Sequence, residues 1–220
     1  MNGVDQKAIW DGRYSNSSDS PRHDGWIENY IKYFNEKREN LIVDLGCGKG
    51  ANSIYLQERG FNVLACDFSF QVINFINKTY PAVQTQCFDM IYEFPNDIND
   101  VGIILASLST HYFTLDETVR LYNNIRNSLE TGGYFIFRVN SKKEYEHKNK
   151  NEVADIIEDD YYILKSGVKK RYFDINSISG LLNGFNVMKI NEGISEFNNN
   201  KNYIEGIVKK NFILSKKHRT

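Results

Sequence analysis

An alternation along the chain narrows the possible folds more than any other feature. Strand-like runs recur at LIVD (41–44), NVLACD (62–67), VQTQCFD (83–89), VGIILASL (101–108) and YFIFRV (134–139). Helix-like segments separate them. In SIYLQERG, the apolar residues Ile54, Tyr55 and Leu56 precede Gly60, a residue suited to ending a helix. In FQVINFINKTY (70–80), Val72, Ile73, Phe75 and Ile76 share one helical face. TLDETVRLYNNIRNSLETGG (114–133) repeats Val119, Leu121, Tyr122, Ile125 and Leu129 and is predicted to stop at Gly132-Gly133. This order predicts an α/β fold: a parallel sheet with right-handed crossovers and helices on both faces.

After the fifth strand the pattern breaks. Residues 141–172 are rich in charge and tyrosine and show no clear period. Order returns with DINSISGLLNGF (174–185), NVMKINEG (186–193) and YIEGIVKKNFIL (203–214); the last two read as antiparallel strands, and the tail KKHRT as frayed. With 220 residues and no long polar linker, a single domain is expected. A net charge of -1 argues against a broad nucleic-acid-binding face. No apolar run approaches the roughly 18 residues of a membrane span, and MNGVDQKAIWDGRY lacks the apolar stretch of a secretory signal. Cys47, Cys66 and Cys87 form no CxxC pair, which fits a reduced, cytoplasmic chain with small buried thiols. No histidine lies near them in sequence, so no metal site is expected.

The stretch VDLGCGKGAN (43–52) joins a strand to a helix through three glycines. Gly46, Gly48 and Ala51 satisfy G-x-G-x-x-G/A, which leaves a nicotinamide or flavin dinucleotide open. Charge separates the readings better. A pyrophosphate rests on helix N-terminal N–H groups, and Asp44, two residues before the first glycine, would repel it. A positively charged sulfonium ligand with an α-amino group favours such acids. Asp67, at the end of the second strand, suits a ribose diol under either reading. Asp89 follows the third strand and could accept from an adenine amine, with Phe68 and Met90 against the ring faces. Plainer accounts stand beside these: glycines for a tight turn, Asp44 as an N-terminal helix acid, Asp67 as a helix cap, Asp89 as a loop acid.

VDLGCGKG, CDFS, CFDM, IILASLSTHYF and GGYFIFRV, in this order and spacing, resemble the class I S-adenosylmethionine-dependent methyltransferases over about residues 41–140. The resemblance implies a doubly wound, seven-stranded, mostly parallel sheet with an antiparallel last strand. It implies S-adenosylmethionine as cofactor and S-adenosylhomocysteine as product. Gly46 and Gly48 would pass close to the methionine half, with Asp67 on the ribose and Asp89 on the adenine. Asn52 resembles a position that assists near the helix start, and Ser107 one where the backbone meets the cofactor's amino group. AIWDGRYS resembles a lid segment of small-molecule branches, so Trp10, Arg13 and Tyr14 are candidates to close the site, Arg13 or Tyr14 reaching the carboxylate. His111 is a candidate general base or, equally, a packed structural histidine.

The expected division is N-terminal cap helices (1–40), a cofactor-binding core (41–140), a substrate-cap insertion (141–172) and a C-terminal helix with hairpin strands (173–220). Ser107-Leu108-Ser109-Thr110 lacks the Asx-Pro-Pro-aromatic turn of enzymes acting on exocyclic amines, and no cysteine follows Cys87 to serve as a cytosine C5 nucleophile. The expected reaction is methyl transfer to a small-molecule acceptor by a monomer or homodimer, with no membrane or large nucleic-acid partner. A non-catalytic ligand-binding protein and a dinucleotide-dependent oxidoreductase are the competing readings.

Overall fold

The computed structural model describes residues 5–15, 20–92, 94–195, 197 and 200–211. Residues 212–214 of the last predicted strand and the basic tail lie outside them. Ten strands are described: β1 Ile42–Leu45, β2 Val63–Asp67, β3 Gln84–Cys87, β4 Val101–Ser107, β5 Leu129–Asn140, β6 Val153–Glu158, β7 Tyr161–Leu164, β8 Lys169–Arg171, β9 Phe185–Ser195 and β10 Lys201–Lys210. Seven of them form one sheet in the order β3-β2-β1-β4-β5-β10-β9. The first five are mutually parallel, and β10 runs antiparallel to both of its neighbours. This is the predicted seven-stranded, mostly parallel α/β sheet.

Strand alternation divides the core between the two faces of the sheet. Val43, Leu45, Ile104, Ala106, Phe135, Phe137 and Val139 pack on one face with Leu121, Tyr122 and Ile125 of the helix α5 (Leu115–Ser128). Ile42, Ile103, Leu105, Tyr134 and Ile136 pack on the other against Trp26, Ile27, Tyr30 and Phe34. These last residues belong to a 3-10 turn (Trp26–Tyr30) and to α2 (Ile31–Glu36); α1 covers Gln6–Ser15. Beside them, Val72 and Ile76 of α4 (Phe70–Thr79) cover Ala65 of β2, and α3 (Ala51–Gln57) buries Leu56. Each large apolar side chain fully buried this way contributes about 1.5–3 kcal/mol. Because the central strands are covered on both faces, they read as unbroken apolar runs.

Local signals set the helix ends. Thr114 caps α5 in a reciprocal capping box with Glu117, and Ser69 caps α4 by accepting from the Val72 N–H. The predicted stop of α5 at Gly132-Gly133 is corrected: the helix ends at Ser128 and β5 begins at once. The pairing with β4 shifts register between Val101 and Ile103, and Gly132 takes φ +79° in that irregularity. The glycines thus mark a bulged strand entry rather than a helix terminus.

Residues 141–172 are ordered by a device that the apolar period did not reveal. After the short α6 (Lys142–Glu144), β6, β7 and β8 form a separate three-stranded antiparallel sheet. It is tied to the main body where the Arg171 N–H donates to the His111 carbonyl (2.8 Å) and the Phe173 N–H to that of Asn140 (2.9 Å). The C-terminal α7 (Ile175–Gly180) starts at a second capping box, Asp174 with Ser177.

Candidate active site

β1 hydrogen-bonds to β2 on one side and β4 on the other. Strand order reverses between β1 and β4, and a crevice opens there beyond the strands' carboxyl ends. The Gly46 and Cys47 N–H groups both donate to the Cys66 carbonyl (2.8 and 2.9 Å), which folds the glycine bend over the end of β2. Gly46 sits at φ +72°, and a Cβ there would lie 2.4 Å from Ser109 Cβ. Its glycine is therefore required by packing against the turn after β4 as well as by backbone conformation. That turn is itself strained: Leu108 takes φ +57°, a conformation disfavoured for a leucine and commonly retained at functional sites.

A cavity of about 410 Å³ occupies the crevice. Of the residues predicted for the site, its wall includes Trp10, Tyr14, Gly46, Gly48, Asp67, Phe68, Asp89, Met90 and Ser107. A smaller cavity of about 180 Å³ shares Gly46, Cys47 and Ser107 with the first and adds the predicted Asp44 and Asn52, together with Arg22, Asp24 and Arg138. Two predicted residues stand away from both walls. Arg13 lays its guanidinium over the Trp10 ring, 4.9 Å from the centroid. His111 is fully buried, beside the Tyr112 ring at 4.3 Å, and burial holds its imidazole well below the ordinary range.

The acids differ in environment. Asp67 is 4% exposed; its Oδ2 accepts from the Gly48 N–H (3.0 Å) and its Oδ1 from the Ser69 N–H (2.9 Å). A carboxylate has about four acceptor positions, so two remain for a diol. Burial pushes its carboxyl up, against these bonds, which favour ionisation. Asp44 is 1% exposed and accepts from Ser53 Oγ at 2.6 Å; burial raises its carboxyl to about 6. Asp89 Oδ1 accepts from the Ile91 N–H at 3.2 Å. Ser107 Oγ is engaged by Arg138 Nη2 (3.0 Å), and Arg138 Nη1 bonds Asp24 (2.7 Å), so this buried guanidinium is already neutralised.

Sequence reasoning assigned the acceptor side to the N-terminal segment and 141–172 but left most residues of the rim unnamed. Gln6, Leu108, Tyr112, Phe113, Glu117, Tyr161 and Lys169 also line the larger cavity. They come from α1, the turn after β4, the start of α5 and the three-stranded sheet, segments brought together only by tertiary folding. Gln6 stitches two of them: its Nε2 donates to the Gly167 carbonyl (3.0 Å), and its Oε1 accepts from the Lys169 N–H (3.2 Å). The aromatic pair His111-Tyr112 and the run EDDYY (158–162), which the sequence offers as a lining of the acceptor pocket or a solvated face, were the local signals, and they mark the cavity through Tyr112 and Tyr161. Cys47 lies in the wall, but burial, and then Asp44 and Asp67, push its thiol well above the ordinary range and make it a poor nucleophile.

Residues 42–133 match the methyltransferase domain family. Over 95 residues the chain is 25% identical to the "Probable S-adenosyl-L-methionine-dependent methyltransferase TehB" of Haemophilus influenzae, covering 42% of this chain and 33% of that protein. The chain thus spans about a third of the length of that curated relative. Among solved structures, it is similar to an S-adenosylmethionine-dependent methyltransferase of Methanosarcina mazei, with TM-score 0.71, 16% identity, and coverage of 85% of this chain and 97% of that one. It is also similar to the 1,6-didemethyltoxoflavin-N1-methyltransferase of Burkholderia thailandensis, solved with 1,6-didemethyltoxoflavin and S-adenosylhomocysteine. There the TM-score is 0.67 and the identity 15%, over 93% of this chain and 88% of that one. Residues 42–133 are thus similar in sequence to methyltransferase domains, and the fold is that of the S-adenosylmethionine-dependent methyltransferases named above. Among the described residues, no helix is long and apolar enough to cross a membrane.

Proposed function

We propose that the protein transfers a methyl group from S-adenosylmethionine to a small-molecule acceptor held at the aromatic end of the larger cavity. The observation that carries this reading is the continuity of one wall, from the Gly46–Gly48 bend and the strand-end acids to a rim of Trp10, Tyr112 and Tyr161. In this reading Asp67 accepts from the ribose hydroxyls, and Asp89 accepts from the adenine amine between Phe68 and Met90. Asp44, Asn52 and Ser107 face the methionine half from the smaller cavity. Arg22, in that wall, takes the carboxylate contact that the sequence suggested for Arg13 or Tyr14.

The bound cofactor would supply a methyl group on a positively charged sulfur, which already leaves readily. The chain's own contribution is then to align the acceptor and exclude water. α1 and the three-stranded sheet, joined through Gln6, cover the cavity, and this is why an acceptor of small size is favoured. Residues 141–172 accordingly act as the acceptor cap, supplying Tyr161 and Lys169 to the wall. His111 stands off the cavity and serves packing rather than proton abstraction in this reading. Glu117 and Lys169 are the charged side chains at the acceptor end, beside the phenols of Tyr112 and Tyr161.

Calorimetric titration with S-adenosylhomocysteine, S-adenosylmethionine and NAD(H) tests the reading. Binding of the two adenosyl ligands is expected. Binding of NAD(H) alone would sink the proposal, and tight adenosyl binding without turnover of thiols, amines, phenols or carboxylates would favour a non-catalytic role.

A further inference from the structure

At the acceptor end of the larger cavity, one carboxylate is held by bonds that use only one of its oxygens. Glu117 is the third residue of α5 and lies in the cavity wall. Its Oε2 accepts from the Thr114 N–H (2.8 Å) and from Thr114 Oγ1 (2.9 Å). Thr114 itself is not part of the wall. Oε1 has no hydrogen-bond partner, and Glu117 no ion pair, among the described residues. Arg171, a buried cation that reaches the start of α5, is engaged elsewhere. Its Nε donates to the Phe113 carbonyl (3.1 Å), its Nη1 to the Asp159 carbonyl (3.2 Å) and its Nη2 to Glu158. Glu158 also accepts from the Leu115 N–H (2.6 Å). The three-stranded sheet is therefore docked on α5 through Glu158, and Glu117 takes no part in that contact.

The surroundings of Glu117 suit a cation. Trp10, Tyr112, Phe113 and Tyr161 line the same wall. Trp10 meets Tyr112 edge to face, with ring centres 5.0 Å apart and planes at 71°. The Tyr161 hydroxyl donates to the Tyr112 carbonyl (2.5 Å), so its proton is taken up within the protein. The charges in the wall are uneven. Among its described residues Asp67, Asp89 and Glu117 are negative, and Lys169 alone is positive. Lys169 forms no ion pair with Glu117 or with any other described residue. S-adenosylmethionine would add one net positive charge, its sulfonium and ammonium against a single carboxylate. One negative charge of the wall is then still unmatched. Asp67 and Asp89 carry the adenosyl contacts in the methyl-transfer reading, which puts the unmatched charge at Glu117. A carboxylate bordered by aromatic faces is the chemistry that recognises an organic ammonium: a charge-assisted N–H···O bond on one side and ring faces on the others.

We propose that Glu117 is the specificity-determining residue of the acceptor end, and that its Oε1 receives an N–H of a protonated amine. The acceptor is then a small organic ammonium whose hydrocarbon part lies against Trp10, Tyr112 and Tyr161. This inference deepens the methyl-transfer reading and rests on it for the word acceptor; the ammonium site itself is testable without cofactor.

The test uses the full chain and three probes of one shape: benzylamine, which is cationic at neutral pH, benzamide and benzoate. Titrations are run with and without saturating S-adenosylhomocysteine. Benzylamine is expected to bind at least about tenfold more tightly than benzamide, with benzoate weakest, as a charge-assisted bond requires. Glu117→Gln keeps the side-chain shape and an oxygen for Thr114, so the cap of α5 survives. It should remove most of the benzylamine preference while Tm and S-adenosylhomocysteine affinity stay close to wild type. Lys169→Met should leave the benzylamine preference in place. The ranking in the wild type needs no variant, so it decides the matter however Glu117→Gln folds. Equal binding of benzylamine and benzamide overturns the proposal, as does a preference unchanged in Glu117→Gln. Benzoate binding tightest also overturns it, and would assign the acceptor's charge to Lys169 instead. Failure of S-adenosylhomocysteine to bind would count against the methyl-transfer reading, while the cofactor-free benzylamine titration still decides the role of Glu117.

Discussion

Replacing Asp44 with asparagine should alter the pH dependence of stability and weaken the hold on a cationic ligand. Asp44 is 1% exposed, and burial raises its carboxyl from 3.8 to about 6. Below about pH 4 the carboxyl is protonated in both native and unfolded chains and contributes nothing. As pH rises from there, the unfolded chain releases its proton while the native chain keeps it, so stability falls. Above about pH 6 both are ionised and the full cost is in place, roughly 3 kcal/mol at about 1.4 kcal/mol per tenfold. The asparagine of Asp44→Asn would carry no charge and could still accept from Ser53 Oγ, which lies 2.6 Å from the native carboxylate. Its new N–H₂ lacks an assured acceptor, which offsets about 1–3 kcal/mol of the gain, but that offset does not change with pH.

The discriminating quantity is therefore the slope of stability against pH. Tm should be followed by circular dichroism from pH 4 to 8 without ligand. The wild type is expected to lose stability, relative to Asp44→Asn, between about pH 4 and 6, by roughly 6–12 °C at about 2–4 °C per kcal/mol. In parallel, S-adenosylmethionine should bind the variant about 1–2 kcal/mol more weakly, the scale of one partly screened charge pair. S-adenosylhomocysteine, lacking the positive sulfur, should lose less. Parallel Tm curves for the two proteins across this pH range would falsify the reasoning, since they would mean that Asp44 does not carry a buried charge at neutral pH.

Other substitutions probe separate links. Asp67→Ala should weaken S-adenosylhomocysteine binding by about 1–3 kcal/mol by calorimetry, and should lower Tm too, because the Gly48 and Ser69 N–H groups lose their acceptor. An unchanged dissociation constant would remove Asp67 from the site. Gly46→Val should disrupt both binding and folding, given the 2.4 Å approach of a Cβ to Ser109 and the φ of +72°; a variant with wild-type Tm would contradict that packing. Thr114→Ala removes a capping box and should cost about 1 kcal/mol by denaturant titration, without affecting ligand affinity. Gln6→Ala should leave adenosyl binding largely intact but raise the acceptor KM, since it cuts the stitch between α1 and the β7–β8 connection; an unchanged KM would argue against the lid.

How much of this was legible in the sequence follows from the range of each interaction. The parallel strands announce themselves because residues such as Ile103, Ile104 and Leu105 are buried on both faces, which leaves an unbroken apolar run. The strand-end residues were legible for a related reason: in a parallel sheet every such end falls on the same edge, so Asp44, Asp67, Asp89 and Ser107 could be grouped before any coordinates existed. The sheet β6–β8 was not legible, because its first strand is almost wholly solvated and lacks the alternation of a half-buried strand. The rim escaped for a different reason. Gln6 reaches a carbonyl 161 residues away, and no local period encodes such a contact. The same distinction bears on Arg13 and His111. Resemblance to a lid segment drew Arg13 toward the cavity, and a position just beyond the fourth strand drew His111. The fold turned the aromatic neighbours to the cavity, left Arg13 exposed with its guanidinium over the Trp10 ring, and buried the imidazole of His111 beside Tyr112.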